Sequence, residues 1–207
     1  GNNNYNPSSG SVTTSIARTT GSVTLKSMSG SVVTGGSVTY GTSEAKFKAT
    51  GTGTLTVSDD NSTATSAISG DTVTIGKLES LSAGTTIKVT VTAAQSTNYN
   101  AASATYTLTI TKANNPVSVT ANTGIKYGAS TALVTTKNAQ GSVYYAVGTQ
   151  LTASNYTTSG STTVPTASGR NQGSYVVYYY VAGNNNYNPS SGSVTTSIAR
   201  TTGSVTL

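Results

Sequence analysis

Along much of the chain, hydroxyl-bearing or charged side chains take turns with aliphatic ones. GTLTVS (Gly53 to Ser58), DTVTIG (Asp71 to Gly76), TIKVTVTAA (Thr86 to Ala94) and ATYTLTITK (Ala104 to Lys112) interleave Thr or Lys with Val, Leu, Ile or Tyr. Successive side chains of a pleated strand point to opposite faces, so a period of two predicts strands with one buried face. Thr outward and β-branched or aromatic residues inward suit such a surface. Turn formers punctuate the runs at Gly35-Gly36, Ser69-Gly70-Asp71 and Gly169-Arg170-Asn171. No window carries apolar residues at helical spacing. Many short strands between frequent turns predict an all-β sandwich.

Repetition sets the organisation. Residues 1–25, GNNNYNPSSGSVTTSIARTTGSVTL, recur letter for letter at 183–207, an offset of 183 − 1 = 182 positions. Within that period the tripeptide Asn-Tyr-Asn stands around Tyr5, Tyr99 and Tyr187, at spacings of 94 and 88, each time ahead of a strand-like run. Two divergent modules of about 90 residues come close to the ~100 residues of a seven-stranded sandwich. The expected layout is two tandem immunoglobulin-like β-sandwich domains, 20–113 and 114–200, with 1–19 as the last strand of a preceding repeat and 201–207 as the start of the next. The junctions, Lys112-Ala113-Asn114-Asn115-Pro116 and Arg200-Thr201-Thr202-Gly203, are short and are not flexible Gly/Ser tracts. A semi-rigid rod is expected. The strand at Val12 to Ile16 is expected to be ordered against a domain, in its own or a neighbouring molecule, so that strand exchange through residues 1–18 could build a filament.

Composition narrows the chemistry. The 207 residues include no His, Cys or Trp, and the five acids all fall between Glu44 and Glu79. General acid–base, thiol and zinc chemistry lack their usual side chains. The chain is read as no enzyme and as needing no cofactor. A net charge of +6 is spread over few charged residues, only 8% of the chain, without the clustered Lys and Arg of a nucleic-acid site. No apolar run reaches the length of a membrane span.

The stretches GSYVVYYYVAGNNNYNPSSGSVTTSIAR and TIKVTVTAAQSTNYNAASATYTLTITKA resemble the last two strands of bacterial immunoglobulin-like repeats from large, adhesin-like cell-surface proteins. Gly173, Tyr175, Val177, Tyr179, Val181, Tyr187 and Ile198 match that pattern, whereas Arg200 stands where a Lys is usual. The first module matches only around Tyr99, Ile110 and Lys112. The resemblance covers about the last third of each module. It implies an extracellular, cell-surface or secreted protein in which most repeats act as spacers, with adjacent repeats as partners.

One candidate binding site is aromatic. In GSYVVYYYV, alternation puts Tyr175, Val177, Tyr179 and Val181 on one face, read as core, and Val176, Tyr178 and Tyr180 on the other. In SVYYAV, Val143, Tyr145 and Val147 point inward and Tyr144 outward. Neighbouring strands would then gather Tyr144, Tyr178 and Tyr180 into an outward patch for a host or matrix glycan or protein, or simply into stabilising cross-strand pairs. Asp59-Asp60-Asn61 with Asp71 offers oxygen donors for calcium at a spacing that fits a polar turn better, so no metal is assigned. Lys46 or Lys88 near Glu44 or Glu79 could form a covalent cross-link. Asn61 and Asn155 open formal glycosylation sequons.

Overall fold

The structure, a computed structural model, describes residues 2–203. Strands dominate it: β1 (Val23–Lys26), β2 (Gly35–Thr39), β3 (Ala45–Gly51), β4 (Leu55–Asp59), β5 (Thr65–Ser69), β6 (Thr72–Gly76), β7 (Thr86–Ala93) and β8 (Ala102–Thr111) are followed by β9 (Ser118–Ala121), β10 (Ile125–Lys126), β11 (Val134–Lys137), β12 (Val143–Val147), β13 (Gly173–Val181) and β14 (Ser190–Ala199). Helical structure among the described residues is limited to a 3₁₀ turn at Leu78–Ser80 and one turn, α1 (Tyr156–Ser159).

The sheet orders are β1-β3-β6-β5 and β2-β8-β7-β4, then β11-β9 and β10-β14-β13-β12. Lettered in chain order, the first pair reads A-B-E-D and A′-G-F-C, where A′ is a short extra strand beside G. This is the immunoglobulin arrangement of ABED against CFG. The later strands repeat A′-G-F-C in full but keep only A and B opposite. Residues 148–172, where D and E would lie, form no strand. A single antiparallel bridge, Ala132 to Thr166, stands in for B–E pairing. The chain divides into two compact units that interleave: Gly1–Gly36, Lys46–Ile75 and Ile87–Thr107 form one, and Ser37–Ala45, Gly76–Thr86 and Leu108–Leu207 the other.

In the first unit the Thr-aliphatic alternation becomes alternating burial. Val89, Val91 and Ala93 of β7 are fully buried while Lys88 is exposed. Phe47 of β3 lies flat on Tyr106 of β8, with centroids 4.2 Å apart and planes 12° apart, so the two sheets share a core. Burying a ring such as Phe47 stabilises by about 1.5–3 kcal/mol, and the stacked pair adds about 0.5–1.5 kcal/mol. The same burial pushes the Tyr106 phenol above its ordinary pKa.

In the second unit Val119, Ile125, Leu133, Val134, Tyr145, Ala167, Val177 and Ile198 form the core. Val177 and Val181 are completely buried, and Tyr175 and Tyr179 pack partly against that cluster, as the period-two reading of β13 predicts. The hydroxyls of buried Thr196 and Tyr145 are satisfied: Thr196 Oγ1 donates to Asn122 O at 2.7 Å, and Tyr145 Oη meets Thr136 Oγ1 at 2.7 Å. Among the described residues no buried side-chain polar atom lacks a partner.

The expectation for the N-terminal strand needs correction. Residues 6–18 pair with no sheet, and Val12 and Ile16 are 91% and 100% exposed. The reason lies in the duplication. Residues 190–199 pair with β13 along its whole length, and β12 holds the other edge of β13. The identical sequence at 8–17 therefore finds its matching edge already occupied. The expected start of a further repeat at 201–207 lies largely outside the described residues, since 204–207 fall beyond them.

Candidate functional site

Strand pairing brings two of the three predicted tyrosines directly together. Tyr144 of β12 faces Tyr180 of β13 in register, on the sheet face opposite Tyr145 and Tyr179. Tyr178 lies two residues along β13, opposite Ser193 of β14. The face is not open, however. Tyr180 is only 8% exposed, which corrects its expected outward display. The cover comes from the irregular segment between β12 and β13. Its helical turn places Tyr156 flat on Tyr180, centroids 4.6 Å apart at 20°, and edge-on to Tyr144, 4.8 Å apart at 78°.

The segment is braced internally at Asn155 and tied to β12 at Ser161. Asn155 Oδ1 accepts from Thr152 N at 2.7 Å, and its Nδ2 donates to Gln150 O at 3.0 Å. Ser161 exchanges two backbone hydrogen bonds with Tyr145, of 2.8 and 2.9 Å, which covers the outer edge of β12. Tyr144 and Tyr178 stay half-buried. A recess of about 120 Å³ beside Tyr178 is lined by Gln150, Leu151, Ser191, Gly192 and Ser193. Tyr144 and Tyr178 therefore keep part of their surface, with amide and hydroxyl groups beside Tyr178, while the stacked Tyr156 and Tyr180 serve packing.

The acidic candidates make turns. Asp59 accepts Asn61 N at 3.1 Å and Ser66 Oγ at 2.6 Å, while Asp60 accepts Lys88 N at 2.8 Å. Asn61 Oδ1 accepts both Thr63 N and Ala64 N at 2.9 Å. Asp71 takes Lys48 Nζ at 3.1 Å and Thr72 Oγ1 at 3.1 Å, and the Lys48 bond holds its carboxyl below the usual range. These oxygens point to separate partners and converge on no common centre.

The Asn-Tyr-Asn loops form a second site, whose role the sequence reading left undefined. In the first unit Thr19 N donates to Asn98 O at 2.9 Å and Asn100 N returns to Thr19 O at 2.9 Å. Arg18 Nε adds a bond to Ser96 O at 2.9 Å. In the second unit Ala113 N donates to Asn186 O at 3.0 Å and Asn188 N returns to Ala113 O at 2.8 Å. There Lys112 Nζ reaches Asn184 O at 2.8 Å. Arg18-Thr19 and Lys112-Ala113 thus each lie parallel to a loop, clamped across its tyrosine by two backbone bonds and one cationic donor. The loop of the second unit is held in shape by its own Asn: Asn184 Oδ1 accepts Asn186 N at 2.9 Å and Tyr187 N at 3.0 Å. Gly183, at φ +74°, lies so close behind that a Cβ would sit 2.5 Å from Tyr187 O. Within the second unit Tyr40 also packs edge-on against Tyr187 at 5.4 Å, and Ala83 N donates to Asn186 Oδ1 at 3.0 Å.

No family model and no curated protein matches the chain. Among solved structures, titin domains Z1Z2 in complex with telethonin align at 13% identity over 90% of this chain and 100% of that one, with a TM-score of 0.41. Drosophila N-cadherin EC1-4 aligns at 13% identity over 81% of this chain, with a TM-score of 0.37, and this chain spans about half of it, 47%. A SusE-like surface-located polysaccharide-binding protein from the Bacteroides thetaiotaomicron heparin utilisation locus aligns at 15% identity over 79% of this chain and 33% of that one, with a TM-score of 0.28. Among the described residues no helix is long and apolar enough to cross a membrane.

Proposed function

We propose that the chain is a structural spacer: two immunoglobulin-like domains, 20–113 and 114–200, repeated in the stalk of an extracellular, adhesin-like surface protein, with no catalysis. The observation that carries this reading is the repeated clamp. Two junctions of different sequence, Arg18-Thr19 and Lys112-Ala113, seat on Asn-Tyr-Asn loops with the same three hydrogen bonds. A linker pinned by backbone bonds resists bending where a Gly/Ser tether would coil. The letter-for-letter duplication of 25 residues supports an array built from such joints. Chains of one, two and three periods, measured by small-angle scattering, test it. A spacer with pinned joints lengthens in proportion to the number of periods, whereas growth near the square root of that number would refute it.

A second reading, a ligand-binding face at Tyr144, Tyr178 and Tyr180, is favoured only by the recess beside Tyr178. Glycan binding that is abolished by Tyr178→Ser with no change in unfolding midpoint supports it. Absence of binding to a broad glycan panel counts against it.

A further inference from the structure

We propose that the recess formed by Tyr127, Asn171, Gln172, Arg200 and Thr201 is a docking surface for the Ser96–Asn100 loop of a second copy of this chain. The inference rests on an internal equivalence. Tyr40 and Tyr127 each follow a short strand, β2 or β10, that runs beside the last strand of its sheet. Tyr40 N donates to Thr111 O at 2.7 Å, and Tyr127 N donates to Ala199 O at 2.8 Å. Thr111 and Ala199 occupy the same place, one residue before Lys112 and Arg200. Around Tyr40 the arrangement is complete: Tyr40 packs on Tyr187, Ala83 N reaches Asn186 Oδ1, and Lys112-Ala113 clamp the loop. Around Tyr127 the corresponding groups bound a recess of about 450 Å³, and Tyr127 is 55% exposed.

The identity of the occupant follows from the duplication. Arg200-Thr201 belongs to the segment identical to Arg18-Thr19, and Arg18-Thr19 seats on Ser96, Asn98 and Asn100 in the first unit. The loop that accepts this dipeptide is therefore known. Its outer side is also open: Tyr99 is 37% exposed beside a groove of about 480 Å³ lined by Ile16, Ala17, Thr19, Thr97 and Asn98. Residues 183–201 of one copy can replace residues 1–19 of the next without changing a single side chain. Docking then sets Tyr127 against Tyr99 as Tyr40 is set against Tyr187. Arg200 donates to the partner's Ser96 carbonyl, and the Asn171-Gln172 segment supplies the donor for Asn98 that Ala83 supplies for Asn186. The surface is a joint between successive copies, with Tyr127 as the aromatic contact.

This deepens the spacer reading and can fail without it. The test uses a chain extended by one period, in which residue 201 is followed by residues 20–207 of a second copy. The chain has no cysteine, so single thiols report cleanly. Tyr127→Cys in the first copy should lose at least about tenfold in maleimide labelling rate relative to the same substitution in the one-period chain, a factor equivalent to about 1.4 kcal/mol of docking. A short bis-maleimide should join it to Tyr99→Cys in the second copy. Tyr40→Cys with Tyr187→Cys in the one-period chain is the reference pair and should cross-link within one molecule. Equal labelling of Tyr127→Cys in both chains overturns the proposal. Failure of the reference pair overturns it too, because the equivalence starts there. Scattering lengths of the arrays still judge the spacer role by themselves.

Discussion

Ile16 and Ile198 occupy the same place in one duplicated sequence, so replacing each by Ala separates structure from sequence context. Ile198 is 2% exposed within the core of Val119, Ile125, Leu133, Val134, Tyr145 and Val177, whereas Ile16 is 100% exposed. Ile198→Ala removes about three methylene equivalents from a packed interior, a transfer loss of about 2.4 kcal/mol at ~0.8 kcal/mol each. The cavity left behind raises this to about 3 kcal/mol, inside the range of about 2–5 kcal/mol for such truncations. With a urea dependence of about 2 kcal/mol per M, the midpoint falls by about 1.5 M. Ile16→Ala stays within about 0.5 kcal/mol, or about 0.25 M. Tyrosine fluorescence suits the assay, since nine of the 13 tyrosines lie between residues 114 and 200. Equal shifts for the two variants, or a shift above about 0.5 M for Ile16→Ala, would falsify the assignment of 190–199 rather than 8–17 to the sheet.

The same logic applies to Gly192, where a Cβ would lie 2.6 Å from Tyr179 Oη and 2.8 Å from its ring, while Gly10 has nothing within 4 Å. Gly192→Ala should cost about 1–3 kcal/mol as overpacking, and Gly10→Ala nothing measurable in a thermal melt. Tyr156→Ala uncovers Tyr180 and removes two ring contacts, so the unfolding free energy should drop by about 1–3 kcal/mol and Tyr180 should become open to iodination. Asp71 titrates below its ordinary value because of Lys48, so its contribution is present above the unfolded-state pKa and is lost as pH falls through the folded-state pKa. Lys48→Met should return the Asp71 carbon shift titration toward the ordinary value and flatten the acid limb of stability; an unchanged titration would show that the ion pair does not form.

Much of the fold was legible because β4, β6, β7 and β8 carry strict alternation, and burial in β7 follows it residue by residue. The inward face of β13 was readable for the same reason. The outward face was not. Tyr180 is covered by Tyr156, which stands 24 positions earlier in a segment without periodic pattern and is held by Asn155 and Ser161. Two-residue β10 is too short to announce itself, and its parallel pairing with β14 depends on chain topology. The Asn-Tyr-Asn loops were visible as a repeated motif, but their role lies in backbone groups, which side-chain chemistry does not reveal. Residues 8–17 show the converse, since a strong strand pattern forms no strand where its matching edge is occupied.

Hydrogen exchange at three equivalent asparagines tests the clamp most directly. Asn188 N and Asn100 N donate to the carbonyls of Ala113 and Thr19, at 2.8 and 2.9 Å, whereas Asn6, in the sequence identical to that around Asn188, has no such segment docked on it. Clamped loops give slow exchange at Asn100 and Asn188, and exchange at Asn6 close to that of an unstructured peptide. Equal, fast exchange at all three would contradict it.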